Sequence, residues 1–384
     1  MVGIATTVTA LGILPVFLTG ALAVQMRPEV GLSVSDLGTA TAVFFLASAV
    51  SSSFAGRLAE IVGASIGMRS AMTLAAFVCA GISFTHSRFV LFALLLLGGL
   101  ANATGQVAAN LFIAKEIVPS RLGFGYGFKQ GGVPVATLLG GVAVPTVGLT
   151  LGWEWAFRIA AVVSAAVALK VPRLDVKAYR PRLRQAGSLI DSPLSVLILL
   201  AAASGLGAAA ANSLGAFFVD SSVGEGVAEG VAGALFAAGS GLGLATRLVV
   251  GWAADRASGG RLLWVAVMLA FGSVGYGLLA LGTTWALFLA TILCFAGGWG
   301  WPGLFNFAVV IRNPKAPAAA TGITQTGAYM GGIVGPFLFG LMAERSYPAA
   351  WTAAAVCALL AAGSVVASRR LLLARVEASP LANS

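Results

Sequence analysis

This sequence is poor in charge, has a single histidine and carries only three cysteines. Asp, Glu, Lys and Arg make up 9% of its 384 residues, where a water-soluble domain carries about 25%. A chain this long with so little charge has no polar surface to offer water, which excludes an ordinary soluble domain and leaves a polytopic membrane protein. The one histidine, His86, falls in a short gap between apolar runs and reads as a solvated loop residue. Cys79, Cys294 and Cys357 lie far apart inside apolar runs with no histidine beside them. That pattern supports neither a disulfide framework nor a metal site. No Ser–His–Asp set, metal-ligand cluster or pair of intramembrane carboxylates is present, so a membrane-embedded enzyme is not expected and no cofactor is implied. No phosphate-cradling glycine loop of the P-loop type occurs, which argues against direct use of ATP. Acids are also scarce: 13 against 23 bases, a net charge of +10. The bases sit in short gaps between apolar runs and form no basic face, so nucleic acid is not an expected partner. A sensor built on a transporter body would need a regulatory tail, and only 14 residues follow Arg370.

What the sequence has in abundance is apolar length and small residues. Its mean hydropathy is +0.96, 59% of residues are hydrophobic and 50 are glycine. Small residues suit close helix packing in lipid. Twelve apolar runs are long enough to cross a bilayer: 2–25, 36–56, 68–86, 88–114, 122–149, 152–170, 192–219, 229–254, 261–282, 285–311, 318–343 and 349–369. The first is too long for a signal h-region and lacks a basic n-region, so it is expected to be a retained helix. Of the 23 Lys and Arg, 17 fall in the connectors and tail on the side of the two termini. Four (Arg27, Arg88, Arg158 and Arg345) fall on the other side, and Lys129 and Arg247 fall within spans. This bias predicts a multi-pass protein of the cytoplasmic membrane with both termini in the cytoplasm.

The two halves repeat. Gly56 matches Gly251, Glu60 matches Asp255, and Pro119 matches Pro314, each pair 195 residues apart. Gly127, Gln130 and Gly132 match Gly322, Gln325 and Gly327 at the same offset of 195. A constant offset across separate motifs implies two copies of one six-helix unit, an architecture with a substrate site between the copies. The expected organisation is a six-helix bundle at 1–170, a basic cytoplasmic linker at 171–191, a second bundle at 192–370 and a tail at 371–384.

The stretch "GWAADRASGGR" (251–261) and its counterpart "GRLAEIVGASIGMR" (56–69) carry a glycine, then three residues, an acid, and further glycine and base. They resemble the signature loop of the major facilitator superfamily; the first copy departs at Ile61, where a base is usual. The resemblance covers the whole chain. It implies an all-α membrane protein with twelve transmembrane helices in two pseudo-symmetric six-helix bundles, working by alternating access. It also makes Gly56, Arg57, Glu60, Gly63, Arg69, Gly251, Asp255, Arg256 and Arg261 gate-loop residues. In physical terms, a glycine at 56 or 251 lets a neighbouring helix approach. The acids can pair with nearby arginines or cap a helix N-terminus and so hold a gate shut.

Lys129 and Arg247 each lie eight residues from the terminal-side end of a span, about 12 Å deep at 1.5 Å per residue. A charge there costs about 2.5–3.5 kcal/mol on insertion scales and is usually functional. Glu116, Glu154, Asp220 and Glu344 all lie near span ends, so no acid of similar depth balances the two bases. A bound anion would relieve their repulsion: arginine clamps a carboxylate through two parallel bonds, and lysine acts as a point charge. The plain alternative has Arg247 bracing the inner gate and Lys129 snorkelling to the surface. The arginine in span eight is similar to one in monocarboxylate-type facilitators and oxalate–formate exchangers, although exchangers carry their lysine on span eleven, where this chain has Thr324. "GGWGWPGLFNF" (297–307) resembles cyanate-permease-like facilitators. Gln130, Gln325, Asn102, Asn306, Trp299, Trp301 and Tyr329 complete the candidate substrate site. The expected partners are lipid and a small, anionic solute, moved with a coupled proton or against a counter-anion by a monomer. Efflux of a lipophilic drug is the competing reading, disfavoured by the missing deep acid.

Overall fold

The computed structural model describes residues 2–116, 128–172, 191–257 and 259–377. Its helices alternate in direction between a terminal face, where Val2 and Glu377 lie, and a far face. The first six spans contain α1 (Val2–Ala21), the short α2 (Ala23–Val30), α3 (Val34–Val62), α4 (Ala64–Ile82), α5 (Arg88–Glu116), α6 (Gly132–Ala143) and α7 (Trp153–Lys170). The last six contain α8 (Leu194–Gly224), α9 (Glu229–Arg256), α10 (Arg261–Leu279), α11 (Thr284–Leu293), α12 (Pro302–Arg312), α13 (Pro317–Ala343) and α14 (Tyr347–Glu377). Among the described residues eleven helices are long and apolar enough to cross a membrane. The sixth expected span, α7, is 18 residues long but carries Glu154, Arg158 and Lys170. It lies along α4 and completes the first bundle. The segments 117–127, which holds the predicted start of span five, and 173–190, most of the predicted linker, lie outside the described residues.

Two spans are interrupted, each near a proline. Span five opens at 128–130, continues as α6, and passes through a π-helical turn at Val144–Gly148 that contains Pro145. Span ten is α11, a π-helical turn at Cys294–Gly298, and then α12 beginning at Pro302. The Trp299 amide donates to the Cys294 carbonyl at 2.8 Å, five residues back. Proline removes an amide donor and its ring displaces the preceding turn, so carbonyls near it are left without helical partners. Pro302 is the sequence signal for this break.

Both signature stretches prove more helical than the loop reading expected. Gly56 to Val62 continue α3, and only Gly63 separates α3 from α4. Gly63 has φ +86° and ψ 157°, a conformation open to glycine alone. In the second copy, Gly251 to Arg256 complete α9, leaving a short turn before α10. The expected close approach at Gly251 is absent: a Cβ there would meet nothing within 4 Å. Gly63→Ala is therefore expected to lower stability by about 1–3 kcal/mol, seen as a fall in melting temperature. Gly251→Ala should leave that temperature unchanged or raise it, as the alanine gains helix propensity.

Small residues set the packing. On α13, Gly327, Gly331 and Gly335 recur every four residues and lie against Ala201, Gly205 and Ala209 of α8, so that any Cβ would strike that backbone. Between the halves the same device recurs as repeat images. Gly38 of α3 rests on Pro336 and Gly340 of α13, and Gly141 of α6 rests on Gly233 and Ala237 of α9. Gly38 and Gly233 are 195 residues apart, as are Gly141 and Pro336, so one contact is the pseudo-symmetric copy of the other. Gly20 of α1 adds a third crossing, with a Cβ 2.8 Å from the Ala216 carbonyl of α8. These contacts lie towards the far face, where one buried core runs through both halves, from Leu14 and Phe17 to Phe218 and Trp351. Towards the terminal face the last six spans keep a separate core around Val196, Leu269, Trp301 and Val365. The halves thus share one core at the far face, while the last six spans keep a core of their own towards the terminal face.

Candidate functional site

Arg247, on α9, reaches the gap in span ten. Its Nε and Nη2 donate to the Trp299 carbonyl at 3.2 and 2.6 Å, and its Nη1 donates to the Gln130 carbonyl at 3.2 Å. One guanidinium therefore caps a freed carbonyl in its own half and touches span five of the other half. A guanidinium has five N–H donors; the three bonds leave two for another acceptor. Lys129, the neighbour of Gln130, is 3% exposed and donates to the Gln106 side-chain carbonyl on α5. Arg247 thus bonds the backbone of the residue that follows Lys129. Neither has a carboxylate partner among the described residues.

The other predicted site residues divide. Trp299 is buried; its ring meets Phe17 of α1 edge-on at 5.7 Å, while its indole N–H has no partner among the described residues. Asn102 on α5 is buried and donates to Ser48 Oγ at 3.1 Å, which in turn donates to the Gly99 carbonyl; Asn102 Oδ1 has no partner among the described residues. Tyr329 and Asn306 are half-buried, and Gln325 is exposed on α13. Trp301 packs edge-on against Phe305 at 5.4 Å and belongs to the core of the last six spans. Sequence reasoning missed Gln106, although Asn102, Gln106 and Asn110 recur every four residues along an otherwise apolar helix.

It also passed over Asp220 as a span-end residue. Asp220 stands one turn before the end of α8, with its side chain 2% exposed. It accepts a bond from Arg27 Nη2 at 2.6 Å and another from the Tyr347 hydroxyl. Burial works against charge on Arg27, and the attraction of Asp220 and Tyr347 outweighs it, so the Arg27 pKa is raised. Two further bonds cross at the far face: Gln25 Nε2 to Glu229 Oε1 at 2.6 Å, and the Ser35 amide to Glu344 Oε2 at 2.7 Å.

Residues 3–336 match the family model of the Major Facilitator Superfamily. The chain belongs to that superfamily. Solved structures similar to this facilitator include a bacterial homologue of the human lysosomal transporter Spinster in an inward-facing, unoccupied conformation. That match has a TM-score of 0.76 and 16% identity and covers 97% of each chain. The same homologue, inward-facing and occupied, gives 0.74 and 14% over 96% of each chain. A point mutant of the nucleoside transporter NupG gives 0.73 and 13% over 95% of this chain and 99% of its own. No curated protein sequence matches. The fold is therefore two pseudo-symmetric six-helix bundles in a membrane, and the protein is a transporter of small solutes, not an enzyme.

The facilitator's signature segments hold no acid–arginine pair among the described residues. Asp255 is exposed and bonded to no described residue. Arg256 stands over the Trp252 ring at 4.0 Å. Arg261 donates to the Ala254 carbonyl at 2.9 Å and to that of Ala257 at 2.8 Å. Arg69 does the same to the Val171 carbonyl, at 2.5 Å, where span six ends. Both arginines meet the negative ends of helices, each within its own half. The side chains of Gly56, Arg57 and Glu60 lie outside the described residues.

Proposed function

We propose that this facilitator carries a small organic anion across the cytoplasmic membrane by alternating access. In this reading the terminal face is cytoplasmic, residues 1–170 and 192–370 are the two rocking bodies, and the arrangement with the far face fused is the inward-open state. One chain supplies both bodies, so the monomer is the working unit. The observation that carries the reading is that Arg247 bonds the backbone of Gln130, the residue next to Lys129, and that neither base has a carboxylate partner among the described residues. Lys129 is buried and Arg247 half-buried; two cations at a similar depth repel each other, and a bound carboxylate relieves that repulsion. The two unused guanidinium N–H groups suit its oxygens. Substrate travelling with a proton, or exchange against a second anion, keeps the charge balanced.

The test is uptake into proteoliposomes of radiolabelled monocarboxylates, dicarboxylates and lipophilic cations, with and without a pH gradient. The expected result is saturable uptake of a small acid, inhibited by other small acids and untouched by the cations. Transport of the cations alone overturns the anion reading and favours drug efflux.

A further inference from the structure

Three ion pairs occur among the described residues, and they differ in kind. Arg88–Asp36, at 3.3 Å, lies inside the first half, and Lys315–Asp191, at 3.7 Å, lies inside the last. Their carboxylates are 15% and 22% exposed, open enough for water to weaken the attraction. Arg27–Asp220 is the shortest, at 2.6 Å, has its acid 2% exposed, and alone joins the two halves. A pair that merely stabilised a bundle would sit within one bundle.

We propose that Arg27, Asp220 and Tyr347 form a lock at the far face, made and broken once per transport cycle, whose strength sets the balance between the two access states. The proposal rests on the rocking of the halves proposed above. The parts suit a lock that opens. Arg27 is 31% exposed and stands at the water edge, so it is hydrated as soon as it lets go. Tyr347 belongs to the same half as Asp220 and keeps its bond to the carboxylate when the halves part. The buried acid is therefore never left bare, which keeps the opening step from carrying the full penalty of an unpaired buried charge. The lock also follows the repeat: Asp220 and Gln25 are mates 195 residues apart, and each bonds to the opposite half, Gln25 to Glu229 and Asp220 to Arg27.

The experiment reads conformation without needing the substrate. Spin labels at His86 and Thr283, exposed far-face positions in opposite halves, are placed in the full chain with its three cysteines replaced by alanine. Pulsed dipolar spectroscopy then gives the ratio of long (far face open) to short distances. Asp220→Asn and Arg27→Gln are each expected to raise that ratio about tenfold or more, as loss of a charge-assisted bond implies. The exchange Arg27→Asp with Asp220→Arg is expected to bring it back to within about threefold of the parent, while Arg27→Gln, at a half-exposed site, guards against misfolding at position 220. Ratios within twofold of the parent in both single variants overturn the lock while leaving two states and the rocking reading intact. An exchange variant as far shifted as the single variants likewise overturns it. One distance population in every variant overturns the lock and the rocking of the halves together.

Discussion

Arg247→Ala is expected to carry substrate at less than about one-hundredth of the wild-type rate, with the protein still folded. The guanidinium makes two bonds to the Trp299 carbonyl and one to the Gln130 carbonyl. Bonds involving a charged group contribute about 1.5–3 kcal/mol each, and tenfold in rate or affinity corresponds to about 1.4 kcal/mol. Loss of a clamped carboxylate alone therefore exceeds a hundredfold. The competing role, a brace for the break in span ten, separates from substrate binding by the choice of variant. Arg247→Lys keeps the positive charge but loses the planar fork that bonds the Trp299 carbonyl through two nitrogens. A brace predicts a lowered melting temperature in both variants, with the stabilisation by added small acids unchanged. An anion site predicts that added acids no longer raise the melting temperature of Arg247→Ala, and raise that of Arg247→Lys only in part. Wild-type transport by Arg247→Ala, or acid stabilisation intact in it, would exclude the anion role.

Much of this site was legible because its signals are long-range and coarse. The scarcity of charge made Lys129 and Arg247 stand out, and the alternation of spans placed them at one depth. The partners were not legible, because they depend on which helix face meets which. Gln106 reaches Lys129 across a bundle, and no periodicity in α5 says that span five is its neighbour. Asp220 counted as a span-end acid because distance along the chain does not report burial; α2, which follows α1 after Leu22 alone, brings Arg27 against it. The signature stretches read as loops because polar residues gather there. Helix termini fray into polar sequence gradually, and only the backbone at Gly63 marks the true corner. The constant offset of 195 proved more informative than any motif, since it also pairs Gly38 with Gly233 and Gly141 with Pro336, residues that no motif singled out.

Those pairs make a prediction about closure as large as that for Arg247. Gly141→Val is expected to cut turnover by roughly five- to 140-fold while leaving both halves folded. The Cβ it adds would lie 2.5 Å from the Ala237 nitrogen and 2.7 Å from the Gly233 carbonyl, backbone of the opposite half that cannot yield as a side chain does. The three atoms nearest the added Cβ all belong to the other half, so the bundle forms and the far-face contact is forbidden. Overpacking of this kind costs about 1–3 kcal/mol, which lowers the population with the far face closed by roughly five- to 140-fold. Gly331→Val serves as the contrast. Its Cβ strikes Gly205 and Ala209 within the same half, so it should lower folded yield and melting temperature instead of shifting the balance of states. The spin-label pair at His86 and Thr283 should report mainly long distances for Gly141→Val with a melting temperature near that of wild type. A Gly141→Val protein that closes its far face and transports normally would mean that the halves do not meet along α6 and α9 during the cycle.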